Sequence, residues 1–196
     1  MERGVAAIAS SPPATPSPPP PRPRVGVGAL LLVRGAAGGG DSGAAGVGGG
    51  LRVLIGERAG SHGAGRLALP GGHLDYGERS FAACAAREVA EETGLHVAAS
   101  RFVVAGVTND VMEAECLHYV TVFCAALVSE EEALGAANLE PHKCKGWALE
   151  RLSKLAEPAL APRLFSPLAA FLAQLEQGAG ERRLRETLAE LESLQK

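Results

Sequence analysis

Residues 71–95 read GGHLDYGERSFAACAAREVAEETGL, and this stretch decides how the rest of the chain is organised. The segment 69–72, Leu-Pro-Gly-Gly, combines a proline that fixes φ with two glycines that accept positive φ, so a tight turn is expected. Ser80 is suited to cap the start of a helix, and Gly94 is suited to end one. Good helix formers fill the interval, which predicts a loop, a helix of about three or four turns and a second loop.

Three glutamates share one side of this predicted helix. At about 100° per residue, Glu88, Glu91 and Glu92 fall within an arc of about 100°, with Phe81 and Ala85 inside or beside it. Like charges at this spacing repel each other, and the repulsion grows as water is excluded. A divalent cation among the oxygens would relieve it, because carboxylate and carbonyl oxygens are the ligands that Mg²⁺ or Mn²⁺ prefers. Taken alone, the three residues leave a solvated acidic face open as the alternative.

The wider pattern resembles the signature box of the Nudix hydrolases. Gly72 and Glu78 match its first part, and REVAEETGL at 87–95 matches its second part. The chain departs from the family pattern once, because eight residues instead of seven separate Glu78 from Arg87. We interpret Arg79 as an extra residue in the loop before the helix, which keeps the glutamates in register. What the extra residue leaves open is whether Glu78 still reaches Arg87 or a metal.

The resemblance implies a fold, a reaction and a set of residues. The fold is of the α/β (α+β) class, with a mixed β-sheet sandwiched between helices and the box as a loop–helix–loop. The reaction is hydrolysis of a nucleoside diphosphate linked to another group, by water that Mg²⁺ or Mn²⁺ activates. The resemblance assigns Gly71, through its carbonyl, and Glu88, Glu91 and Glu92 as metal ligands. It assigns Glu88 also to orient or deprotonate the water, and Arg87 to hold the glutamates.

A second segment narrows the resemblance to one group of the family. NLEP at 138–141 and CKGW at 144–147 resemble the end of MutT-like nucleoside triphosphatases of plants and animals. Lys145 stands where that group has an acid, so Glu140 joins Glu78 as a candidate metal ligand or structural carboxylate. Asp110 lies near the place where ADP-ribose-cleaving members carry a proline.

This group favours nucleoside triphosphates as substrates, including oxidised guanine nucleotides or a pterin triphosphate, cleaved to the monophosphate and pyrophosphate. A Nudix domain that binds nucleotides or proteins without turnover is the alternative. The residues that contact the substrate stay open in this interpretation. Leu164 and Phe165, at the start of a helix beside the expected substrate opening, are the candidates.

Hydrophobic patterning outside the box predicts further strands and helices. Buried strands are expected at 24–34 and 51–58, and a short strand at 66–69. The segments 96–107 and 117–128 are β-rich, and Thr108, Asn109 and Asp110 are assigned to the connection between them. An acidic turn is expected at 130–132 and a helix at 163–177.

These elements suggest one Nudix domain at 24–177 with three further segments. Residues 1–23 are rich in Pro, Ala and Ser and predict a disordered tail. Residues 35–50 form a Gly/Ala-rich insertion without the Gly-Lys-Ser/Thr ending of a P-loop. Residues 178–196 begin with a glycine-containing break and continue as a charged helix with leucines on one side. Docking of that helix on its own domain and a homodimer contact are both open.

Composition limits the function classes. A chain of 196 residues with 46% hydrophobic content supports one globular domain, and a net charge of −3 argues against general nucleic-acid binding. No apolar run is long enough to predict a membrane span. The four cysteines lack C-x-x-C spacing, which indicates free thiols in a reducing compartment such as the cytoplasm. The tail carries few acids, which leaves an organelle transit peptide as the alternative for residues 1–23.

Overall fold

The structure, a computed structural model, describes residues 22–35, 50–60 and 63–195. Most of the predicted proline-rich tail and of the Gly/Ala-rich insertion therefore lies outside the described residues. Both stay predictions.

The described chain contains seven strands and five α-helices. The strands are β1 (Arg24–Arg34), β2 (Leu51–Arg58), β3 (Leu67–Ala68), β4 (Gly71–His73), β5 (Val103–Met112), β6 (Leu117–Leu127) and β7 (Cys144–Arg151). The helices are α1 (Phe81–Thr93), α2 (Glu130–Leu134), α3 (Leu152–Leu155), α4 (Ser166–Leu175) and α5 (Gly178–Ser193). Short 3-10 turns at Ala99–Arg101, Glu113–Glu115 and Ala161–Arg163 complete the set.

The strands form one mixed sheet, ordered β3-β2-β1-β6-β5. β1 pairs in parallel with β6 along one edge, while its other edge pairs with β4 near the start of the strand and with β2 near its end. β7 pairs with β2. β1 therefore changes partner along this edge. Between the two pairings the Ala29 N–H donates a hydrogen bond to the Pro70 carbonyl oxygen at 2.8 Å, and the loop that leads into α1 leaves β4 beside the start of β1, where the Leu74 N–H bonds the Val25 carbonyl oxygen.

Apolar residues cover both faces of the sheet. On β1, Leu30 and Leu32 face the core beneath α4 and α5, whereas Ala29, Leu31 and Val33 face the core beneath α1. A strand buried on both faces has an uninterrupted apolar sequence, as β1 does. The helices therefore enclose the sheet on both sides, and the expected mixed α/β sandwich is confirmed.

The caps of α1 are where the sequence predicts them. The hydroxyl of Ser80 accepts a hydrogen bond from the Ala83 N–H at 3.0 Å. Gly94 ends the helix in the left-handed conformation with φ of 72°. The helix therefore begins after Arg79, which lies in the preceding loop, as predicted.

Two sequence predictions are wrong in detail. Thr108, Asn109 and Asp110 belong to β5 and not to a connection, because this strand pairs with β6 through to Met112. The acidic segment at 130–132 opens α2, since Ser129 and Glu132 form a capping box there. Phe81, the first residue of α1, is 37% exposed and lies outside the buried face of the helix.

The C-terminal helix packs on the same core as the rest of the chain. It begins at Gly178, earlier than predicted, because a glycine weakens a helix without preventing it when tertiary packing supports the first turn. Leu184 and Leu191 are buried with residues of α4, whereas Leu194 is 48% exposed. Through Leu184 and Leu191, α5 therefore docks on its own domain, which was one of the two alternatives. Within the described residues, no helix is long and apolar enough to cross a bilayer.

Candidate active site

Strand β4 lies against α1 at one glycine. A Cβ atom placed on Gly72 would overlap the carboxylate of Glu88. Glycine at this position is therefore what allows the backbone of β4 to approach the acidic side of α1. The N–H of the neighbouring Gly71 donates a hydrogen bond to Glu92 Oε2 at 3.1 Å.

Arg87 joins three of the predicted site carboxylates. Its Nε donates to Glu78 Oε1 at 2.9 Å, and its Nη1 donates to Glu88 Oε1 at 2.7 Å and to Glu91 Oε2 at 3.0 Å. Its Nη2 donates to the His73 carbonyl oxygen at 3.0 Å. One guanidinium thus fixes the helix, the loop and the preceding strand relative to each other through charge-assisted hydrogen bonds.

The environments of these carboxylates move their pKa values in opposite directions. The hydrogen bonds from Arg87 lower the pKa of Glu78 to about 2. Burial raises the pKa of Glu88, and it raises the pKa of Glu92 to about 7, with the nearby charge of Glu88 adding to the effect. Burial without a full set of partners disfavours the charged form. A bound cation would offset this cost.

Glu88, Glu91 and Glu92 line one cavity of about 390 Å³. Lys143 lines it as well and pairs with Glu140, Nζ to Oε2, at 2.7 Å. The hydrogen bond to Glu140 raises the pKa of Lys143, so this lysine carries a positive charge at the rim of the carboxylates.

The donor chemistry of this cavity suits a hard divalent cation. Its three carboxylates offer oxygen ligands, and two of them, Glu88 and Glu92, are buried where a cation would compensate their charge. Within 22–35, 50–60 and 63–195, however, no group of three or more His, Cys, Asp or Glu side chains is arranged to hold a metal ion. Arg87 Nη1 holds Glu88 and Glu91, so these carboxylates would have to turn from the guanidinium to reach a cation.

A second cavity of about 140 Å³ adjoins the first. Its lining is largely apolar and aromatic, including Phe123, Phe165 and Leu168. The residues common to both cavities are Arg58, Ala68, Leu69, Gly71, Gly72 and His73. The guanidinium of Arg58 lies over the Phe165 ring, 4.4 Å from its centroid. A molecule with an apolar ring and a charged tail could therefore occupy both cavities at once.

The remaining predicted site residues divide into two groups. Phe165 lines the apolar cavity, but Leu164 is 1% exposed and belongs to the hydrophobic core. Leu164 is therefore a wrong candidate for substrate contact, since the chain turns its side chain inward before α4. Glu140 is not part of the lining of the carboxylate cavity, but it pairs with Lys143, which is, and alongside burial its charge helps to raise the pKa of Glu92. Lys145 points to the surface, where it bonds Glu57 at 2.5 Å.

Sequence reasoning missed the contribution of β6 to the apolar cavity. Tyr119, Thr121 and Phe123 alternate along this strand and all line the cavity. Their spacing of two residues places them on one face, and that period was the available signal. His73 adds a polar group at the junction of the cavities, where its Nε2 lies 2.9 Å from the Tyr119 hydroxyl.

Comparison with known proteins identifies the protein family to which this fold and site belong. The family model of the NUDIX domain matches residues 26–172, well over half of the chain. The chain belongs to the Nudix family, and it is a Nudix pyrophosphohydrolase. Members of this family generally hydrolyse nucleoside diphosphates linked to another group with the help of a divalent cation.

Solved structures share the fold. A MutT NUDIX hydrolase from Burkholderia pseudomallei is 25% identical, with a TM-score of 0.56, and the match covers 79% of this chain and 99% of that one. The MutT protein from Methanosarcina mazei Go1 is 22% identical, with a TM-score of 0.55, covering 84% and 96%. The NUDIX domain of Shewanella oneidensis NrtR, solved with ADP-ribose, is 20% identical, with a TM-score of 0.57, covering 86% and 90%.

Proposed function

We propose that this chain hydrolyses nucleoside triphosphates to the monophosphate and pyrophosphate in a Mg²⁺- or Mn²⁺-dependent reaction. The observation that carries the proposal is the contact between two unlike cavities, one lined by carboxylates and the other by aromatic and apolar groups. The apolar cavity suits a nucleobase and the carboxylate cavity suits a metal-bound polyphosphate. Gly71, Gly72 and His73 lie where the sugar and first phosphate would pass between them.

Glu88, Glu91 and Glu92, with the Gly71 carbonyl, would hold the cation. When bound, the cation neutralises the polyphosphate and lowers the pKa of a coordinated water. Glu88 orients or deprotonates the attacking water, because it is buried, faces the cavity and has a raised pKa. Glu78 is a structural carboxylate in this scheme, since both of its oxygens are committed to Arg87.

Positive groups along the cavities complete the proposed chemistry. Arg87 bonds Glu88 and Glu91 at the edge of the carboxylate cavity, and both carboxylates would turn from it to reach the cation. Arg58 and Lys143 supply positive charge on the lining of the carboxylate cavity, where phosphate oxygens would lie. We see no need for a covalent intermediate, since attack by water uses only these groups.

The substrate proposal rests on the MutT-like pattern of plants and animals in the sequence. Oxidised guanine nucleotides or a pterin triphosphate, and a role in cleaning the nucleotide pool, follow from that group. ADP-ribose, the ligand of the NrtR NUDIX domain, is the competing substrate of the same diphosphate class. Asp110 occupies the place near which ADP-ribose-cleaving members carry a proline, which favours the triphosphates.

The alternative is a Nudix domain that binds nucleotides or proteins without turnover. The extra Arg79 and the basic Lys145 motivate it. The bond between Glu78 and Arg87 weakens this motive, because the added loop residue does not separate the two side chains.

One experiment separates these functions. The purified chain is incubated with Mg²⁺ and a panel of nucleoside triphosphates, an oxidised guanine triphosphate, a pterin triphosphate and ADP-ribose, and the products are identified. Pyrophosphate release from a triphosphate is the expected result, and cleavage of ADP-ribose alone would contradict it. If nothing is cleaved but nucleotides raise the melting temperature, the binding function is correct.

The cellular setting is also proposed. The described cysteines are free thiols, three of them buried, which suits a reducing compartment such as the cytoplasm. The exposed Leu194 at the end of α5 is the residue of that helix that a homodimer contact would cover.

A further inference from the structure

Four residues of β5 and β6 form a polar patch in an otherwise apolar part of the sheet. Thr108 lies directly across from Thr121, and Asp110 lies across from Tyr119. Directly paired residues of neighbouring strands share a face of the sheet, so all four side chains lie on the side of the apolar cavity. Thr108, Asp110 and Thr121 are buried.

The hydrogen bonds in this patch converge on one atom. Asp110 Oδ2 accepts a hydrogen bond from the Thr108 hydroxyl at 2.7 Å and another from the Thr121 hydroxyl at 2.7 Å. Each threonine hydroxyl carries a single hydrogen, so both donors are used in these bonds. The Thr121 oxygen keeps its lone pairs, and it therefore faces its surroundings as an acceptor.

Thr121 carries this acceptor to the cavity, whereas Asp110 does not. Thr121 is part of the lining of the apolar cavity, and Asp110 lies behind it. Gly26 of β1 lies beside Thr121: a Cβ atom there would be 3.7 Å from Thr121 Oγ1. The missing side chain at Gly26 leaves the floor of the cavity open next to this oxygen.

We propose that Asp110 and Thr121 together select the nucleobase, because Thr121 Oγ1 accepts a hydrogen bond from a ring or amino N–H of the base. Thr121 is the contact residue, and Asp110 is a positioning residue that fixes the direction of the Thr121 hydroxyl. This inference rests on the proposed function in one respect, the placement of the base in the apolar cavity.

Selectivity follows from the cost of an unpaired acceptor. A base that presents an N–H forms a hydrogen bond with the Thr121 oxygen. A base without one displaces water from this oxygen and leaves the oxygen without a hydrogen-bond partner. Sites that hydrogen-bond a ligand group reject analogues that lack it more strongly than they reject changes in size. The patch therefore favours bases that present a ring or amino N–H over analogues whose donors are missing or blocked.

The test measures binding of monophosphates by calorimetry in the absence of metal, so that turnover plays no part. Two matched pairs serve as probes. The monophosphate dGMP is compared with purine 2′-deoxyriboside monophosphate, whose six-membered ring carries no N–H donor. The monophosphate dTMP is compared with its N3-methyl derivative, in which the donor is blocked. We expect the wild-type chain to prefer the donor-bearing member of at least one pair by about tenfold or more.

Three variants assign the preference. Thr121→Val keeps the volume but removes the acceptor, so the preference should fall to within about threefold. Asp110→Asn should reduce it as well, because an amide that also donates no longer fixes both hydroxyls as donors. Thr108→Val is the matched control: it removes the other hydroxyl bonded to Asp110, which is not part of the cavity lining, and should keep the preference.

The ratio of affinities is the decisive readout, since a purely structural defect would weaken both members of a pair alike. Absence of any preference in the wild type, absence of binding by all four probes, or an unchanged preference in Thr121→Val would overturn the inference. Selective binding by a chain that releases no pyrophosphate from any triphosphate would instead refute the hydrolase proposal and leave the selection by Thr121 standing.

Discussion

Glu78 and Arg87 meet through two atom pairs, Nε to Oε1 at 2.9 Å and Nη2 to Oε2 at 3.3 Å. Eight residues separate them, one more than in the family pattern. The loop absorbs the additional residue: α1 starts only at Phe81, and the Asp75 N–H bonds Glu78 Oε2 at 2.8 Å, which anchors the loop before Arg79. Loops accommodate an added residue at small entropic cost.

Deletion of Arg79 should therefore leave the melting temperature nearly unchanged and the rate equal to or above that of the wild type. Deletion of Ala83 gives the same spacing but turns the first part of α1 by about 100° relative to Glu88. It should cost about 1–3 kcal/mol of stability, because the Ser80 cap and Glu78 lose their places. Thermal unfolding and steady-state rates check both deletions, and greater damage from the Arg79 deletion would show that the helix start is misplaced.

The bond between Glu78 and Arg87 also predicts a dependence of stability on pH. The pKa of Glu78 is lowered from its ordinary value of 4.5 to about 2 in the folded chain by the hydrogen bonds from Arg87. A carboxyl whose pKa is lowered on folding stabilises the folded state above its unfolded pKa, and this contribution is lost as the pH falls through the folded value. At neutral pH the bond should contribute about 1 kcal/mol or more to the free energy of unfolding. Denaturant unfolding between pH 6 and pH 2 should show the loss of this contribution as the pH falls. Glu78→Gln should flatten this limb, and an equally steep limb in the variant would assign it to other groups.

The leucines of α5 test whether this helix belongs to the core. Leu191→Ala removes a side chain that is 1% exposed and should cost about 2–5 kcal/mol at any protein concentration. Leu194→Ala changes a side chain that is 48% exposed and serves as the matched control, with an effect within about 0.5 kcal/mol. Chemical unfolding at several concentrations is the measurement. A concentration-dependent loss in Leu194→Ala would support the homodimer contact, and a negligible loss in Leu191→Ala would contradict the docking of α5.

Removal of residues 1–23 should change the rate by less than about twofold. A proline-rich segment of this composition buries no core of its own, and β1 keeps its pairing with β6 from Arg24 onward. The truncated and full-length chains are compared for solubility, melting temperature and turnover. A collapse of either solubility or rate would show that the tail packs on the domain.

The sequence predicts the parts of this fold whose signals are local. The extent of β1 follows from its apolar run and that of β2 from its apolar centre at 53–55, and the bounds of α1 follow from Ser80 and Gly94, because caps and continuous burial act over a few residues. The extent of β5 cannot be predicted in this way, because Thr108 and Asp110 resemble loop residues in sequence and find their partners only on β6. Polar groups that are satisfied only across the sheet give no signal along the chain.

The same limit applies to the candidate site. The glutamates of α1 are readable because helix spacing alone brings them together. The apolar cavity is assembled from β1, β6 and the start of α4, segments far apart in sequence, so Leu164 and Phe165 could not be told apart without the structure. Phe165 faces the cavity and Leu164 faces the core. The two residues are adjacent, so a difference of one position along the chain decides which side chain reaches the cavity.

Glu92→Gln tests most directly whether the carboxylates of α1 support metal-dependent release of pyrophosphate. This change removes one charge from the cluster but keeps its volume, so the fold should persist while the metal-bound transition state loses stabilisation. Pyrophosphate release from the best triphosphate of the panel is measured for both proteins across a range of Mg²⁺ concentrations, alongside their melting temperatures. We expect the variant to be slower by about a hundredfold or more with a melting temperature no lower than that of the wild type, because burial of the charged Glu92 is unfavourable. Turnover like that of the wild type in Glu92→Gln would remove this residue from the site and contradict a metal-dependent role for the carboxylate cluster.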